Sequence, residues 1–148
     1  MSTWIVDASV GLKWCLDEVD SDRAALLLDA LLEGTAELVV PDLFFLECGN
    51  TFWKSVVRKN IDAGTATSNL DLLLALPLRV VPSRGLAEAS LAIALESQAT
   101  AYDASYVALA EREGCPLITA DERLVGKVSK RPCSVKVLSQ LVARDLVG

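Results

Sequence analysis

The chain has 148 residues, of which 52% are hydrophobic, enough for one sizeable core and too few for a second, so we expect a single domain over residues 1–148. The formal net charge of −6 at pH 7 argues against a nucleic-acid partner, because phosphate binding is driven by basic surface. The chain has no histidine, which excludes catalysis by an imidazole general base.

The apolar runs predict no membrane span. The longest ones, near 24–32 and 72–78, are interrupted by Asp29 and Pro77 and fall well short of the roughly 20 residues that cross a bilayer. The amino-terminal residues lack the basic segment of a secretory signal, and the apolar run that follows stops at Asp7. We therefore expect a soluble cytoplasmic protein. The four cysteines have no CxxC spacing, which favours reduced, packed thiols over zinc ligands or disulfides.

Short β-branched segments alternate with longer segments of helical periodicity. In chain order we predict a strand at Thr3–Val6, helices at Val10–Asp17 and Asp22–Leu32, a strand at Leu38–Val40, helices at Leu43–Lys59 and Ala66–Ala75, a strand at Leu78–Val81, helices at Leu86–Glu96 and Ala101–Glu113, a strand at Leu117–Thr119, one or two helical turns over Asp121–Lys130, a strand at Val135–Leu138 and a short helix at Ser139–Leu146. This alternation predicts an α/β fold with a parallel sheet and helices on both faces.

Four acidic residues occur where apolar residues would be expected. Asp7 and Asp121 follow the first and fourth predicted strands, Glu47 interrupts an apolar helical segment, and Asp103 lies in an Ala-rich one. A buried carboxylate is normally neutralised, paired or bound to a metal. The carboxyl edge of a parallel sheet is where α/β proteins bind ligands. If the four acids meet there, their oxygens suit Mg²⁺ or Mn²⁺.

The motifs for other chemistries are missing, since the chain has no GxSxG nucleophile turn, no GxxxxGK[ST] phosphate loop and no GxGxxG dinucleotide turn. The chemistry that remains is metal-assisted hydrolysis of a phosphodiester.

Each acid also has a structural interpretation. Asp7 and Asp121 could each cap the following helix, and Asp103 has the spacing of a capping box with Thr100. For Asp7 the two interpretations are balanced on spacing alone. Glu47 is the hardest to explain without a ligand, because Asn50 extends its polar stripe along the same helical face.

Basic residues form two clusters. One comprises Lys54, Arg58 and Lys59, and the other comprises Arg123, Lys127, Lys130, Arg131 and Lys136. They could contact phosphates, or they could be solvated helix ends favoured by the helix dipole.

Four segments in order resemble the motifs of PIN-domain proteins, specifically the VapC-like toxins of prokaryotic toxin–antitoxin pairs. They are Val6–Trp14, Pro41–Leu43 with Glu47–Asn50, Tyr102–Ala110 and Thr119–Leu124. The resemblance implies an α/β/α sandwich with a five-stranded parallel sheet of order 3-2-1-4-5. It also implies an endoribonuclease that depends on Mg²⁺ or Mn²⁺, cuts an RNA substrate, forms a homodimer and is silenced by a cognate antitoxin.

The resemblance also implies roles for individual residues. The implied metal ligands and catalytic residues are Asp7, Glu47, Asp103 and Asp121. The residues implied to orient them by hydrogen bonds are Ser9, Asn50 and Thr119.

Two other classes of protein share features with this chain. A phosphorelay receiver domain needs an aspartate at the end of its third strand, where this chain has Val81, Pro82 and Ser83. A catalytically silent PIN-like module that binds RNA or protein stays open.

Overall fold

Five short segments pair as parallel strands in the computed structural model, which describes residues 1–147. They are β1 (Ser2–Val6), β2 (Ala36–Pro41), β3 (Arg79–Val81), β4 (Leu117–Thr119) and β5 (Val135–Val137). The sheet order is β3-β2-β1-β4-β5, which confirms the predicted order 3-2-1-4-5. Ile5 at the centre is in register with Val39 on one side and Leu117 on the other.

Within the described residues, seven α-helices connect and cover these strands. They are α1 (Ala8–Gly11), α2 (Ser21–Leu32), α3 (Leu43–Val57), α4 (Ala63–Ala75), α5 (Ala87–Ser97), α6 (Ala101–Glu113) and α7 (Glu122–Lys127). Successive residues of a strand point to opposite faces of the sheet. Both Ile5 and Val6 in β1, and both Val39 and Val40 in β2, are fully buried. The sheet is therefore covered on both faces, as its continuous apolar strands predict.

Local hydrogen bonds explain where two helices begin. The carboxylate of Asp7 caps α1, so that helix starts two residues before the predicted Val10. The carboxylate of Asp62 accepts the Thr65 amide at 2.6 Å, so α4 likewise starts before the predicted Ala66. The bounds of β4 and α6 agree with the prediction.

The predicted helix at Ser139–Leu146 is wrong. Two separate 3-10 turns, Leu138–Gln140 and Ala143–Leu146, occupy this segment. The carbonyl of Leu141, which a continuous α-helix would use internally, accepts a hydrogen bond from the Arg23 guanidinium at 2.5 Å. A tertiary contact thus replaces the helical bond.

A glycine sets the spacing between α1 and α3. A Cβ atom at Gly11 would come within 3.0 Å of two ring carbons of Phe44, whose side chain is fully buried. Asp7 directly precedes α1, and Glu47 lies in α3. The close packing of these two helices therefore brings the elements that position the two acids together.

The cysteines and the helix lengths agree with two expectations. Cys15, Cys48, Cys115 and Cys133 are all free thiols, and Cys48 is buried. Within residues 1–147, every helix is too short or too polar to cross a lipid bilayer.

Candidate functional site at the carboxyl edge of the sheet

The chain brings all four predicted acids toward one edge of the sheet. Asp7 directly follows β1 and Asp121 lies two residues after β4, and these strands are neighbours. Glu47 lies in the second turn of α3, and Asp103 lies in the first turn of α6. The order of the sheet reverses between β1 and β4, and this switch point is the usual ligand crevice of an open α/β sheet.

Two hydroxyls tie Asp7 to the segment that follows β4. The Ser9 hydroxyl donates to Asp7 Oδ1 at 2.5 Å and accepts the Ala120 amide at 2.9 Å. The Thr119 hydroxyl donates to Asp7 Oδ2 and accepts the Asp121 amide at 3.0 Å. The side chain of Asp7 is therefore held in one orientation by bonds that also set the path of the chain toward Asp121.

Burial dominates the electrostatics of Asp7, which is only 5% exposed. Loss of water raises its pKa from 3.8 to about 6. Hydrogen bonds from Ser9, Thr119 and the Val10 amide lower the pKa but do not cancel this effect, and the charge of Asp103 raises it further. A carboxylate kept in such a place is typical of a functional site.

Glu47 has a buried partner that the sequence analysis did not single out. The Tyr106 hydroxyl donates to Glu47 Oε1 at 2.6 Å, and the tyrosine is 1% exposed. Burial is again the main cause that raises the pKa of Glu47 to about 6, with additions from the charges of Asp103 and Asp7. The available signal was the spacing of Tyr106 three residues after Asp103, which puts both on one face of α6.

Asp103 is electrostatically coupled to the other three acids. Its charge raises the pKa of both Asp7 and Glu47. Its own pKa is raised first by burial and then by the charge of Asp121, whereas Lys127 lowers it. Asp103 thus links the other three acids electrostatically, and Lys127 partly offsets the charge around it.

The predicted caps are present for Asp7 and Asp121, and half of the predicted capping box is present for Asp103. Asp7 Oδ1 accepts the Val10 amide at 3.3 Å, and Asp121 Oδ1 accepts the Arg123 amide at 3.0 Å. The Thr100 hydroxyl accepts the Asp103 amide at 3.1 Å, which is one half of the predicted capping box. Capping engages only part of each group, so it does not compete with a role at the site.

The free oxygen atoms fit a hydrated divalent cation. A carboxylate offers about four lone-pair positions; Asp7 uses three for Ser9, Val10 and Thr119, and Glu47 uses one for Tyr106. Among residues 1–147, no three acidic or thiol groups lie close enough to form a ready-made metal cage. Mg²⁺ keeps several waters and needs only one or two carboxylates, so this spacing suits it better than a dehydrated ion.

A cavity of about 560 Å³ opens beside Glu47, and Asn50 and Lys54 of α3 form part of its wall. No hydrogen bond within the described part of the chain joins Asn50 to an acid, so its predicted orienting role remains a prediction. Another cavity of about 570 Å³ lies near Met1 and Thr35, at the amino ends of β1 and β2, and contains none of the four acids. The chemistry of the side chains therefore favours the cavity at Glu47, and not the one at Met1, as part of the functional site.

Some residues of the second predicted basic cluster are already held in ion pairs within the protein. Arg131 pairs with Glu111 at 2.8 Å, and Lys136 pairs with Asp145 at 2.7 Å. Lys54 and Lys127 form no ion pair within residues 1–147, and each belongs to a different cluster. Lys54 shares a cavity wall with Glu47, and the charge of Lys127 acts on Asp103.

The raised pKa values predict that the metal-free protein gains stability as the pH falls. Folded Asp7 and Glu47 bind protons near pH 6, whereas in the unfolded chain they do so near 3.8 and 4.5. Between about pH 4 and pH 6 the folded state holds more protons, so the free energy of unfolding decreases as the pH rises. We expect a rise of roughly 1–3 kcal/mol from pH 7 to pH 5.

Urea denaturation in EDTA at these two pH values measures the change. Hydrogen bonds lower the pKa values of Asp62, Glu113 and Asp145, so these acids act in the opposite direction but only at lower pH. Equal stability at pH 5 and pH 7 would contradict the burial of two coupled carboxylates.

Comparison with known proteins places the chain in a family. The profile of the PIN domain matches residues 4–129. Ribonuclease VapC3 from Pyrobaculum aerophilum is 32% identical over 125 residues, which cover 83% of this chain and 92% of that protein. Exonuclease VapC9 from the same organism is 32% identical over 99 residues, which cover 67% of this chain and 73% of that protein.

Solved structures agree with the fold. The crystal structure of PAE2754 from Pyrobaculum aerophilum has a TM-score of 0.73 at 26% identity and covers 97% of this chain and 96% of that chain. VapBC2 from Rickettsia felis, bound to a DNA fragment from their promoter, has a TM-score of 0.67 at 13% identity and covers 91% of this chain and 98% of that chain. The chain belongs to the PIN-domain family and, within it, to the VapC-like ribonucleases and toxins.

Proposed function

We propose that this protein is a Mg²⁺- or Mn²⁺-dependent endoribonuclease and the toxin of a toxin–antitoxin pair. The observation that supports this most is the group of mutually coupled acids at the switch point of the sheet, in which burial raises the pKa of Asp7 and Glu47 to about 6. Acids in this state favour a counter-charge, and a divalent cation supplies one. Membership among the VapC-like ribonucleases makes RNA the substrate to test first.

In this proposal Asp7, Glu47, Asp103 and Asp121 bind the hydrated cation directly or through its waters, and hydroxyls of the chain orient Asp7 and Glu47. Ser9 and Thr119 fix the two oxygens of Asp7, and Tyr106 fixes one oxygen of Glu47, so that the Oε2 atom is left for the cation or the attacking water. When bound, the cation lowers the pKa of water and offsets charge on the phosphate. Lys54 and Lys127 attract the RNA backbone from two sides.

Internal cleavage is a separate part of the proposal, because the two relatives are named a ribonuclease and an exonuclease. Circular RNA has no ends, so it tests this directly. An endonuclease opens the circle, whereas an exonuclease leaves it intact.

The proposed partners are a cognate antitoxin and a second copy of this chain. Membership among the VapC-like toxins, together with the fold shared with a chain of VapBC2, supports a cognate antitoxin for this chain. We also propose a homodimer of single-domain subunits that acts in the cytoplasm, where the four free cysteines would stay reduced.

The proposal is tested with purified protein and labelled linear and circular RNAs, and with DNAs of the same sequence as controls. We expect cleavage with Mn²⁺ or Mg²⁺, none in EDTA, and recovery when Mn²⁺ is returned in excess. Cutting that continues unchanged in EDTA would refute the metal-dependent mechanism.

A catalytically silent PIN-like binding module is the second candidate. It is favoured by the observation that no three acids form a ready-made metal cage within residues 1–147. Under this alternative the protein binds RNA or a protein partner with the same basic residues but cuts no RNA at any Mn²⁺ concentration.

A further inference from the structure

The cavity beside Glu47 has an apolar and aromatic side that metal binding does not use. Leu43 and Leu46 of α3 line it together with Tyr102, which lies in the first turn of α6. Leu46 is 80% exposed and Tyr102 is 66% exposed. An aromatic ring is left open to solvent immediately before Asp103.

Three polar residues of different chemistry also line the same cavity. Glu47, Asn50 and Lys54 follow one another at helical spacing along one face of α3. The wall therefore changes from a proposed metal ligand to an amide that both donates and accepts hydrogen bonds, and then to a cation. With a cation on Glu47, these groups match, in order, a scissile phosphate, a base edge and a neighbouring phosphate.

We propose that this cavity is a nucleobase subsite, in which one unpaired RNA base next to the scissile phosphodiester stacks on Tyr102 and presents its edge to Asn50. Lys54 holds the adjacent phosphate. The volume of about 560 Å³ is in the usual range of small-molecule sites. Single-stranded RNA is commonly recognised by unstacked bases on aromatic rings. This subsite rests on the proposed function, because it names the part of the RNA that the same site would hold.

The lysine in the wall favours RNA over an apolar protein segment as the occupant of the cavity. Lys54 forms no ion pair within residues 1–147, so its charge is available to a phosphate. The continuity of the cavity with Glu47 places its occupant beside the acids. If an antitoxin segment occupies the cavity instead, removing a base from the RNA should not change the affinity of the protein for RNA.

The test compares Tyr102→Ala with Tyr102→Phe, and uses Trp53→Ala as the matched control. Trp53 is also an exposed aromatic, 60% exposed on α3, but it faces a different groove. Binding of short fluorescent single-stranded RNAs is measured in EDTA by anisotropy, so the result does not depend on cleavage. An abasic nucleotide is placed at each position of the RNA in turn.

We expect Tyr102→Ala to weaken RNA binding by roughly 5- to 150-fold, the range for loss of one stacked base. Tyr102→Phe and Trp53→Ala should bind as the wild type does. One abasic position should weaken wild-type binding by a similar factor and have no further effect on Tyr102→Ala. The rise in melting temperature with Mn²⁺ should be the same in all variants.

Unchanged RNA binding by Tyr102→Ala would overturn the subsite. So would an abasic position that weakens this variant as much as the wild type. A failure of the proposed function has a different signature, since it would remove cleavage and the Mn²⁺ response from the wild type while these binding differences in EDTA persist.

Discussion

Asp7→Asn should lower RNA cleavage by at least about a hundredfold while making the metal-free protein more stable. Loss of a residue that merely supports a metal ligand costs about 10- to 100-fold in affinity or activity, and loss of a ligand should cost at least as much. The carboxylate of Asp7 is 5% exposed and its pKa is raised to about 6, so its charge is unfavourable in the empty site. Neutralising it should raise the free energy of unfolding at pH 7 by roughly 1–3 kcal/mol.

Asp7→Asn should gain stability without metal but lose the stabilisation that Mn²⁺ gives to the wild type. A cation that binds only the folded state stabilises it by about 2.7 kcal/mol at a hundredfold excess over its dissociation constant. We expect this gain in the wild type and its loss in Asp7→Asn, measured by melting with and without Mn²⁺. Asp71→Asn, which neutralises an exposed acid of α4, is the control and should keep both the activity and the Mn²⁺ response. An Asp7→Asn protein that Mn²⁺ still stabilises fully would show that Asp7 is not a ligand.

Tyr106→Phe should raise the Mn²⁺ concentration needed for half-maximal cleavage by about 10- to 100-fold. The substitution removes only the hydroxyl that donates to Glu47 Oε1 at 2.6 Å, so the ring still fills its buried position. Without this bond Glu47 is free to rotate, and its other oxygen is no longer held toward the site. Much of the lost activity should return at saturating Mn²⁺, because the carboxylate itself remains.

A loss of general stability must be separated from this effect, since a hydrogen bond to a charged group contributes about 1.5–3 kcal/mol. Ile93→Val is a suitable control, because it trims a buried side chain of α5, a helix that carries none of the four acids, at a cost of about 0.5–1.5 kcal/mol. It should lower the melting temperature and leave the Mn²⁺ requirement unchanged. If Tyr106→Phe needs no more Mn²⁺ than this control, the tyrosine has only a packing role.

The layered α/β architecture was predictable, but the order of its strands was not predictable from periodicity. Apolar runs such as Leu38–Val40 reveal a buried strand, because both of its faces are covered. The same runs contain no information on which strands are neighbours. The order 3-2-1-4-5 came from the family resemblance, and with it the expectation that Asp7 and Asp121 lie on adjacent strands.

Failures of prediction occurred where distant contacts decide the backbone. The segment Ser139–Leu146 has helical periodicity, yet Arg23 binds the carbonyl of Leu141 across 118 positions of sequence. Tyr106 was overlooked for the same reason, because its partner Glu47 is 59 positions away. Local patterns cannot reveal a bond of this kind.

Asp7 shows why the sequence left two interpretations balanced. One oxygen of its carboxylate caps α1 through the Val10 amide, and the other accepts the Thr119 hydroxyl across the sheet. Spacing along the chain identifies only the cap. The burial and the coupling to Asp103, which distinguish a site from a cap, appear only when β1, β4 and α6 are brought together.

Calorimetric titration of Mn²⁺ into the metal-free wild type near pH 6, in two buffers of different ionisation enthalpy, tests the central claim most directly. Because Asp7 and Glu47 have pKa values of about 6, each is about half protonated there, and a cation that binds carboxylates must displace those protons. We predict saturable binding that releases up to about one proton per protein molecule. Absence of binding, or binding with the same heat in both buffers, would contradict a cation held by these acids.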